Sequence, residues 1–321
     1  MSKNFISLAA GMAMIGGVAL SDTPKVAVDI SPVHSLVSRV MLGVGTPDLI
    51  VQAGASPHGY TLRPSEAKAL QDAQMVFWMG ESLSPWMEGA LDTLSRDATI
   101  ITLLERDETI LLEFREGALF EEHDHDDHGD EKHDDHGDEK HDDHGDHGHG
   151  SYDPHAWLSP DNARIWLNLI ASQLSIVDPE NAGTYFANAA AGRLEIEALK
   201  AEVNSLLEPV RGKKFIVFHD AYQYFEEAFK ISASGAISLG DASKPSPARI
   251  AEIQGRIEEE SIDCVLSEPQ FNKGLVATVM AGSNANTNVI DPLGVGLKPG
   301  PNLYNELIRD MTKILVDCFE S

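Results

Sequence analysis

The chain has 321 residues, with 51 acidic against 24 basic side chains and a net charge of −27. This length predicts about two domains, and a hydrophobic content of 42% is sufficient to build cores. The acidic excess excludes a nucleic-acid-binding protein, which needs basic patches, and favours a protein that attracts cations.

The first 21 residues have the pattern of an export signal. Lys3 is followed by an apolar run over 5–20, and small residues stand near Ala19 and Ser21. The run is short for a bilayer span. Three glycines within it make the alternative, a buried first helix, a poor choice. We therefore expect residues 1–21 to be a signal peptide and the mature protein to reside outside the cytoplasm.

The segment from residue 22 to the histidine-rich stretch alternates between short apolar runs and stretches with helical spacing. This alternation predicts a parallel sheet with helices on its faces. His34 stands at the start of the first helical stretch, where packing or capping is its expected role. Strands are expected at 25–30, 48–52, 75–79 and 99–104, and helices at 31–41, 65–71 and 85–94.

Residues 121–149 form a repetitive acidic segment in which the octet HDDHGDEK occurs twice and begins a third time. The segment has no apolar side chain, so it cannot bury a core and is expected to be disordered. Its imidazoles favour Zn, Ni or Cu over Mg or Ca. Nine of the 13 histidines of the chain are auxiliary metal ligands on this prediction: His123, His125, His128, His133, His136, His141, His144, His147 and His149.

The second half of the chain repeats the alternation after a long helical stretch. A helix is expected from residue 160, and residues 179–210 read as one helix of ~45 Å that would act as a stiff backbone. Strands are expected at 214–218, 262–266 and 288–290, and helices at 221–230, 247–260, 275–281 and 304–319. The chain therefore predicts two doubly wound α/β lobes with parallel sheets, at 22–178 and 211–321, joined by the helix at 179–210.

Three histidines outside the acidic segment and one aspartate lie in loops of the predicted α/β topology. His58 and His219 each follow a predicted strand, as does Asp291, and His155 lies in a loop beside the insert. Ligands of open α/β sheets bind at the carboxyl ends of the strands, so these side chains are expected to meet in the cleft between the lobes. Three imidazoles and a carboxylate suit four-coordinate zinc, whereas calcium and magnesium require mostly oxygen. The alternative is three unrelated histidines in turns.

Cys264 and Cys318 are the two cysteines of the chain. In an exported protein such a pair predicts one disulfide, which would stabilise the fold by ~4 kcal/mol on the chain-entropy model. Two buried free thiols are the alternative.

Several stretches together resemble the metal-specific solute-binding proteins of ABC transporters, and more narrowly their zinc-specific periplasmic branch. The resemblance covers nearly the whole mature chain. It implies two α/β lobes, a rigid connecting helix and zinc bound in the cleft. The stretches are ASPHGYTLRPSEAKALQDAQMVFWMG, DPHAWLSPDNA, FIVFHDAYQYF, SEPQF and DPLG.

The resemblance also implies roles for single residues. The motif histidines of the family fall on His58, His155 and His219, and the third histidine argues for zinc, because manganese-binding relatives have Glu there. The fourth ligand is expected to be Asp291, with a water as the alternative. An acidic histidine-rich loop and a cysteine pair are further features of this branch. Glu268 is expected near the cleft as a supporting or helix-capping acid.

The function that these patterns favour is capture of Zn²⁺ in the periplasm by a monomer that delivers the ion to a membrane permease. A periplasmic zinc chaperone is a further candidate partner. Two alternatives stay open. A zinc hydrolase would need a general base such as Asp220 or Glu268, and a zinc buffer or adhesin would act through residues 121–149.

Overall fold

The computed structural model describes residues 23–115, 152–238, 245–270 and 273–321. The predicted signal peptide and the histidine-rich segment lie outside the described residues. Within these ranges, no helix combines the length and apolar character needed to cross a membrane.

The N-terminal sheet contains four parallel strands in the order β2-β1-β3-β4. The residues of β1 and β3 are buried throughout, as expected for a parallel sheet that helices cover on both faces. Each helix begins at or beside a proline, which has no N–H to leave unbonded in the first turn. The elements are β1 (Val26–Val28), α1 (Ser31–Val40), β2 (Asp48–Leu49), α2 (Pro64–Asp72), β3 (Met75–Trp78), α3 (Pro85–Leu94) and β4 (Thr99–Thr102).

The connection between the sheets is helical. Helix α4 (Pro160–Val177) precedes α5 (Ala182–Leu207), which has 26 residues and is about 39 Å long. The predicted single helix over 179–210 is confirmed in its centre and corrected at its ends. Short 3-10 turns occupy Pro179–Asn181 and Glu208–Val210, where prolines interrupt α-helical hydrogen bonding.

Helix α5 packs against α1, α4 and the last helix of the chain. Gly192 lies where α5 crosses α4, and a Cβ there would stand 3.0 Å from Leu167 Cδ1. From the sequence, one helix face is expected to contain Leu194, Leu199, Val203, Leu206 and Leu207. Leu194 does not belong to the buried face, because its side chain is 73% exposed. The residues that do face the core recur every three or four positions: Tyr185, Ala189, Gly192, Ile196, Leu199, Val203 and Leu207.

The C-terminal sheet repeats the strand order of the first, as β6-β5-β7-β8, again fully parallel. The prediction of two parallel α/β lobes joined by a long helix is therefore confirmed. The elements are β5 (Phe215–His219), α6 (Gln223–Phe229), β6 (Ala236–Ser238), α7 (Pro247–Glu259), β7 (Cys264–Ser267), α8 (Lys273–Val279), β8 (Asn286–Val289) and α9 (Leu303–Glu320).

A disulfide joins the first residue of β7, Cys264, to Cys318 of α9, with their Cα atoms 5.8 Å apart. Both cysteines are buried. The predicted bridge is confirmed, and it fastens the last helix to the C-terminal sheet.

Candidate metal site

Three histidines from separate parts of the chain meet between the two sheets. His58, His155 and His219 each bring a ring nitrogen within 4.8 Å of the other two. The ring centroid of His155 lies 5.4 Å from that of His58 and 5.3 Å from that of His219. His155 is therefore the central member of the cluster.

His219 is the last residue of β5 and is buried. Its Nδ1 lies 2.6 Å from Oε1 of Glu268, which follows the neighbouring strand β7 and is itself buried. The second oxygen of Glu268 accepts a hydrogen bond from the Gln270 side-chain amide at 3.1 Å. Two adjacent strand ends thus supply the histidine and the acid that orients it.

His155 precedes a 3-10 turn at Ala156–Leu158 and is held by Asp153. Asp153 Oδ1 lies 2.7 Å from Nδ1 of His155 and accepts its backbone N–H at 2.9 Å. Burial raises the pKa of Asp153 to about 7, although the hydrogen bond from His155 and the charge of Arg115 oppose that rise.

The turn that carries His155 is anchored to the C-terminal half of the chain. Trp157 Nε1 donates to the carbonyl of Pro292 at 2.9 Å, and the Trp157 carbonyl accepts from the Tyr304 hydroxyl at 3.0 Å. Tyr224 donates its hydroxyl to the Asp153 carbonyl at 2.9 Å. His155 is therefore fixed from both lobes.

The two carboxylates determine which nitrogen of each ring faces the cluster. A neutral imidazole that donates Nδ1–H to a carboxylate presents the lone pair of Nε2, which is the form that ligates a metal. Glu268 was expected near the cleft in a supporting role, and its bond to His219 fits that role. Asp153 was missed by the sequence reasoning, although an acid two residues before a predicted ligand was the available signal.

His58 differs from the other two histidines because it lies in the loop between β2 and α2 and is only half-buried. The Pro57 carbonyl before it accepts hydrogen bonds from Ser84 Oγ at 3.1 Å and Trp86 Nε1 at 2.7 Å. The His58 backbone N–H donates to Ser56 Oγ at 3.2 Å. The loop is therefore tied to the start of α3, while the imidazole reaches the cluster from the solvent side.

Asp291 follows β8, and among the described side chains it is not part of the three-histidine cluster. Its carboxylate accepts the backbone N–H groups of Leu293 at 2.9 Å, Gly294 at 3.0 Å and Val295. These bonds stabilise the turn in which Gly294 has a φ of +72°. Direct ligation by Asp291 stays a prediction.

His34 also lies outside the cluster. It is buried in α1, with Nε2 3.1 Å from the Pro47 carbonyl, and burial lowers its pKa. These contacts fit the expected packing role.

The described residues on either side of the histidine-rich segment pair with each other near the site. Glu113 and Tyr152 form an antiparallel bridge. Arg115 donates to both Asp220, the neighbour of His219, and Glu226, with an Nη1–Oε2 distance of 2.7 Å. These carboxylates raise the pKa of Arg115 further above its usual value, in spite of burial.

The donor set of the cluster suits a transition metal. Imidazole nitrogens bind zinc, nickel or copper in preference to magnesium or calcium. Three of them leave one position of a tetrahedral zinc site for a further ligand. The fold and this site define a class: a two-lobed α/β protein with a histidine metal site between its lobes.

The chain belongs to the family described as zinc-uptake complex component A, periplasmic, whose model matches residues 26–318. A relative from Paracoccus denitrificans, named high-affinity zinc uptake system protein ZnuA, is 46% identical over 318 residues, covering 97% of this chain and 96% of the relative. A relative of the same name from Brucella abortus is 44% identical over 330 residues, covering 98% and 99% respectively.

Solved structures share the fold. One described as the crystal structure of ZnuA has a TM-score of 0.73 at 21% identity and covers 92% of this chain and 99% of its own. A ZnuA deletion mutant with zinc bound has a TM-score of 0.72 at 20% identity, covering 92% and 98%. At these identities the structures confirm the two-lobed architecture.

Proposed function

We propose that this chain captures Zn²⁺ in the periplasm and delivers it to the membrane permease of an ABC importer. The observation that carries the proposal is the convergence of His58, His155 and His219 within ligand distance of one another. Membership of the zinc-uptake family supports the same conclusion. The lobes at 22–178 and 211–321, with the helix at 179–210 between them, are the proposed division of the chain.

The proposed ligands are the three imidazoles and one water. Neutral imidazoles are nitrogen donors that zinc accepts in a tetrahedral arrangement. Of the two candidates for the fourth position, water is favoured here over Asp291, because Asp291 lies outside the cluster formed by the described side chains and its carboxylate holds a turn through three backbone N–H groups. Asp153 and Glu268 would increase the basicity of the histidines that they contact.

Release of the ion is proposed to begin at His58. His155 and His219 are buried and hydrogen-bonded to buried acids, whereas His58 is half-buried on a loop. The long α5 helix opposes wide opening of the lobes. Docking on the permease would therefore loosen the His58 loop rather than separate the lobes.

The nine histidines of residues 121–149 are proposed as an accessory, lower-affinity store of zinc. Their sequence offers many imidazoles and carboxylates, but a selective site needs ligands fixed by a rigid framework. A periplasmic zinc chaperone is the proposed alternative source of the ion.

Isothermal titration of the chain lacking residues 1–21 tests the proposal. We expect one tight zinc site, which His155→Ala removes and which deletion of residues 121–149 leaves in place. His34→Gln is the matched control, because it removes a buried imidazole outside the cluster. Tight binding that survives His155→Ala but disappears with the deletion would transfer the function to the histidine-rich segment.

A further inference from the structure

One buried tyrosine beside the cluster differs from every other buried tyrosine of the described chain. The hydroxyls of Tyr185, Tyr224 and Tyr304 donate to Asp178, the Asp153 carbonyl and the Trp157 carbonyl at 2.6–3.0 Å. Within the described ranges, the Tyr222 hydroxyl has no hydrogen-bond partner. Buried polar groups in folded proteins are nearly always bonded, so an exception calls for a specific explanation.

Tyr222 is placed against the metal site. It follows His219 by three residues, its side chain is 1% exposed, and its ring centroid lies 6.3 Å from that of His219. Burial raises its pKa well above the usual value, and the charge of Glu268, the attraction of the hydroxyl proton to that carboxylate and the charge of Asp291 raise it further. The hydroxyl therefore faces two carboxylates.

Glu268 attracts the proton of this hydroxyl, but the two groups do not form a hydrogen bond of regular geometry. Glu268 is engaged by His219 and Gln270, and Asp291 is engaged by three backbone N–H groups. A tyrosine hydroxyl can donate one hydrogen bond and accept others. Its lone pairs are therefore open to a donor, and its ring packs beside His219, one of the three imidazoles of the cluster.

We infer that Tyr222 is a positioning residue for the fourth ligand of the metal: its hydroxyl accepts a hydrogen bond from the metal-bound water and directs its own proton toward Glu268. The inference rests on the proposed zinc site. A water on zinc is a strong hydrogen-bond donor because the metal increases its acidity. Glu268 would then connect the water, through Tyr222, to His219.

Tyr222→Phe removes this hydroxyl and little else. Zinc affinity is measured by competition with a chromophoric chelator, and the geometry of the site by the visible absorption of bound Co²⁺. Tyr185→Phe is the matched control, because it removes a buried hydroxyl of α5 that donates to Asp178, just after the end of α4. His219→Ala shows independently whether zinc occupies the cluster.

We expect Tyr222→Phe to bind zinc about 10- to 100-fold more weakly, as other residues that orient metal ligands do, and to change the Co²⁺ spectrum. The chelator-stripped variant should unfold at the same or a higher temperature, because it loses an unbonded buried hydroxyl. Tyr185→Phe should lower the unfolding temperature and leave affinity and spectrum unchanged.

Wild-type affinity and an unchanged Co²⁺ spectrum in Tyr222→Phe, with zinc binding strongly weakened in His219→Ala, would overturn the role of Tyr222 alone. Unaltered zinc binding in His219→Ala would overturn the proposed site and, with it, this inference. If Tyr222→Phe binds zinc more weakly but has an unchanged Co²⁺ spectrum and a lower unfolding temperature, Tyr222 would have a packing role instead.

Discussion

The ends of β1 and β5 occupy equivalent places in the two sheets but carry different groups. Asp29 directly follows β1, and its buried carboxylate accepts the N–H of Ile30 at 2.7 Å and of Met79, just after β3, at 2.6 Å. His219 ends β5 and contacts Glu268, just after β7. In both sheets, a side chain at the end of one central strand (β1 or β5) is thus bonded to the end of the other central strand (β3 or β7).

The two links serve different purposes. The N-terminal link bonds both oxygens of the Asp29 carboxylate to the backbone and presents no atom to the metal cluster. The C-terminal link uses Nδ1 of His219, and the same ring belongs to the three-histidine cluster. The same topology therefore provides a structural link in one lobe and an oriented candidate ligand in the other. The N-terminal lobe brings its candidate ligand, His58, from a loop instead.

The disulfide lies in the C-terminal lobe alone, and its removal should have the largest effect on stability. Replacing both Cys264 and Cys318 with Ser should lower the free energy of unfolding by ~4 kcal/mol, because the bridge closes a long loop. Cys264 begins β7, at the opposite end from Glu268, so zinc affinity should stay near wild type. Urea unfolding and zinc titration measure the two quantities, and a large loss of affinity would show that the bridge shapes the site.

Removing one histidine from each lobe compares His219, which is buried at a strand end, with His58, which is half-buried in a loop. His219→Ala and His58→Ala should each weaken zinc binding by about a hundred- to a thousandfold, since a four-ligand zinc site contributes about 10–16 kcal/mol. His219→Ala should also lower the stability of the chelator-stripped protein, because Glu268 is left buried without its partner. His58→Ala should not. Equal thermal stability of the two variants would contradict the contrast.

The orienting acid has a smaller expected effect than a ligand. Glu268→Gln keeps the size of the side chain but removes the charge that holds Nδ1 of His219, and we expect zinc affinity to fall about 10- to 100-fold. Glu252→Gln is the matched control, because Glu252 is a half-exposed acid that pairs with Arg249 on the same helix. Chelator competition on both variants measures the difference, and equal affinities would exclude an orienting role.

The hydrogen bonds of the Asp29 carboxylate should contribute to stability but not to zinc affinity. Asp29→Asn leaves one backbone N–H without an acceptor, and we expect a loss of about 1 kcal/mol in the free energy of unfolding at pH 7. Zinc affinity should be unchanged. A weaker zinc site in this variant would show that the two strand ends are not functionally distinct.

Asp29 also predicts a dependence of stability on pH. Burial raises its pKa from 3.8 to about 7. The folded protein therefore keeps a proton that the unfolded chain loses between these values, so this contribution to stability falls as the pH rises through that window. Urea unfolding from pH 4.5 to 7.5 should show a steeper decline for the wild type than for Asp29→Asn. Parallel curves would contradict the raised pKa.

The elements of the fold follow closely from the sequence because local patterns determine them. Buried apolar runs marked the strands β3 and β5, and proline with helical spacing marked the start of α3 at Pro85. The alternation of strands and helices implied the parallel sheets. The face of α5 was less accurately predicted at Leu194, because a helix rich in alanine gives little contrast between its sides.

The candidate ligands were found by position relative to strand ends, which needs no contact information. His58 lies in the loop at the carboxyl end of β2, His219 lies at the carboxyl end of β5, and His155 lies in a loop beside the histidine-rich segment. The alternative of unrelated turn histidines was excluded only by their arrangement in space. A local sequence pattern cannot predict the distance in space between residues that are so far apart in the chain.

The sequence by itself determined the two parallel α/β lobes, the long helix, the cysteine pair and the identity of the three histidines, because each depends on local periodicity or on residue type. Only the tertiary structure decided that Asp153 and Glu268 orient two of those histidines, that Asp291 caps a turn, and that the Tyr222 hydroxyl is buried without a partner among the described residues. These roles depend on which atoms of distant segments come within hydrogen-bonding distance, and that is set by the packing of the two lobes around α5.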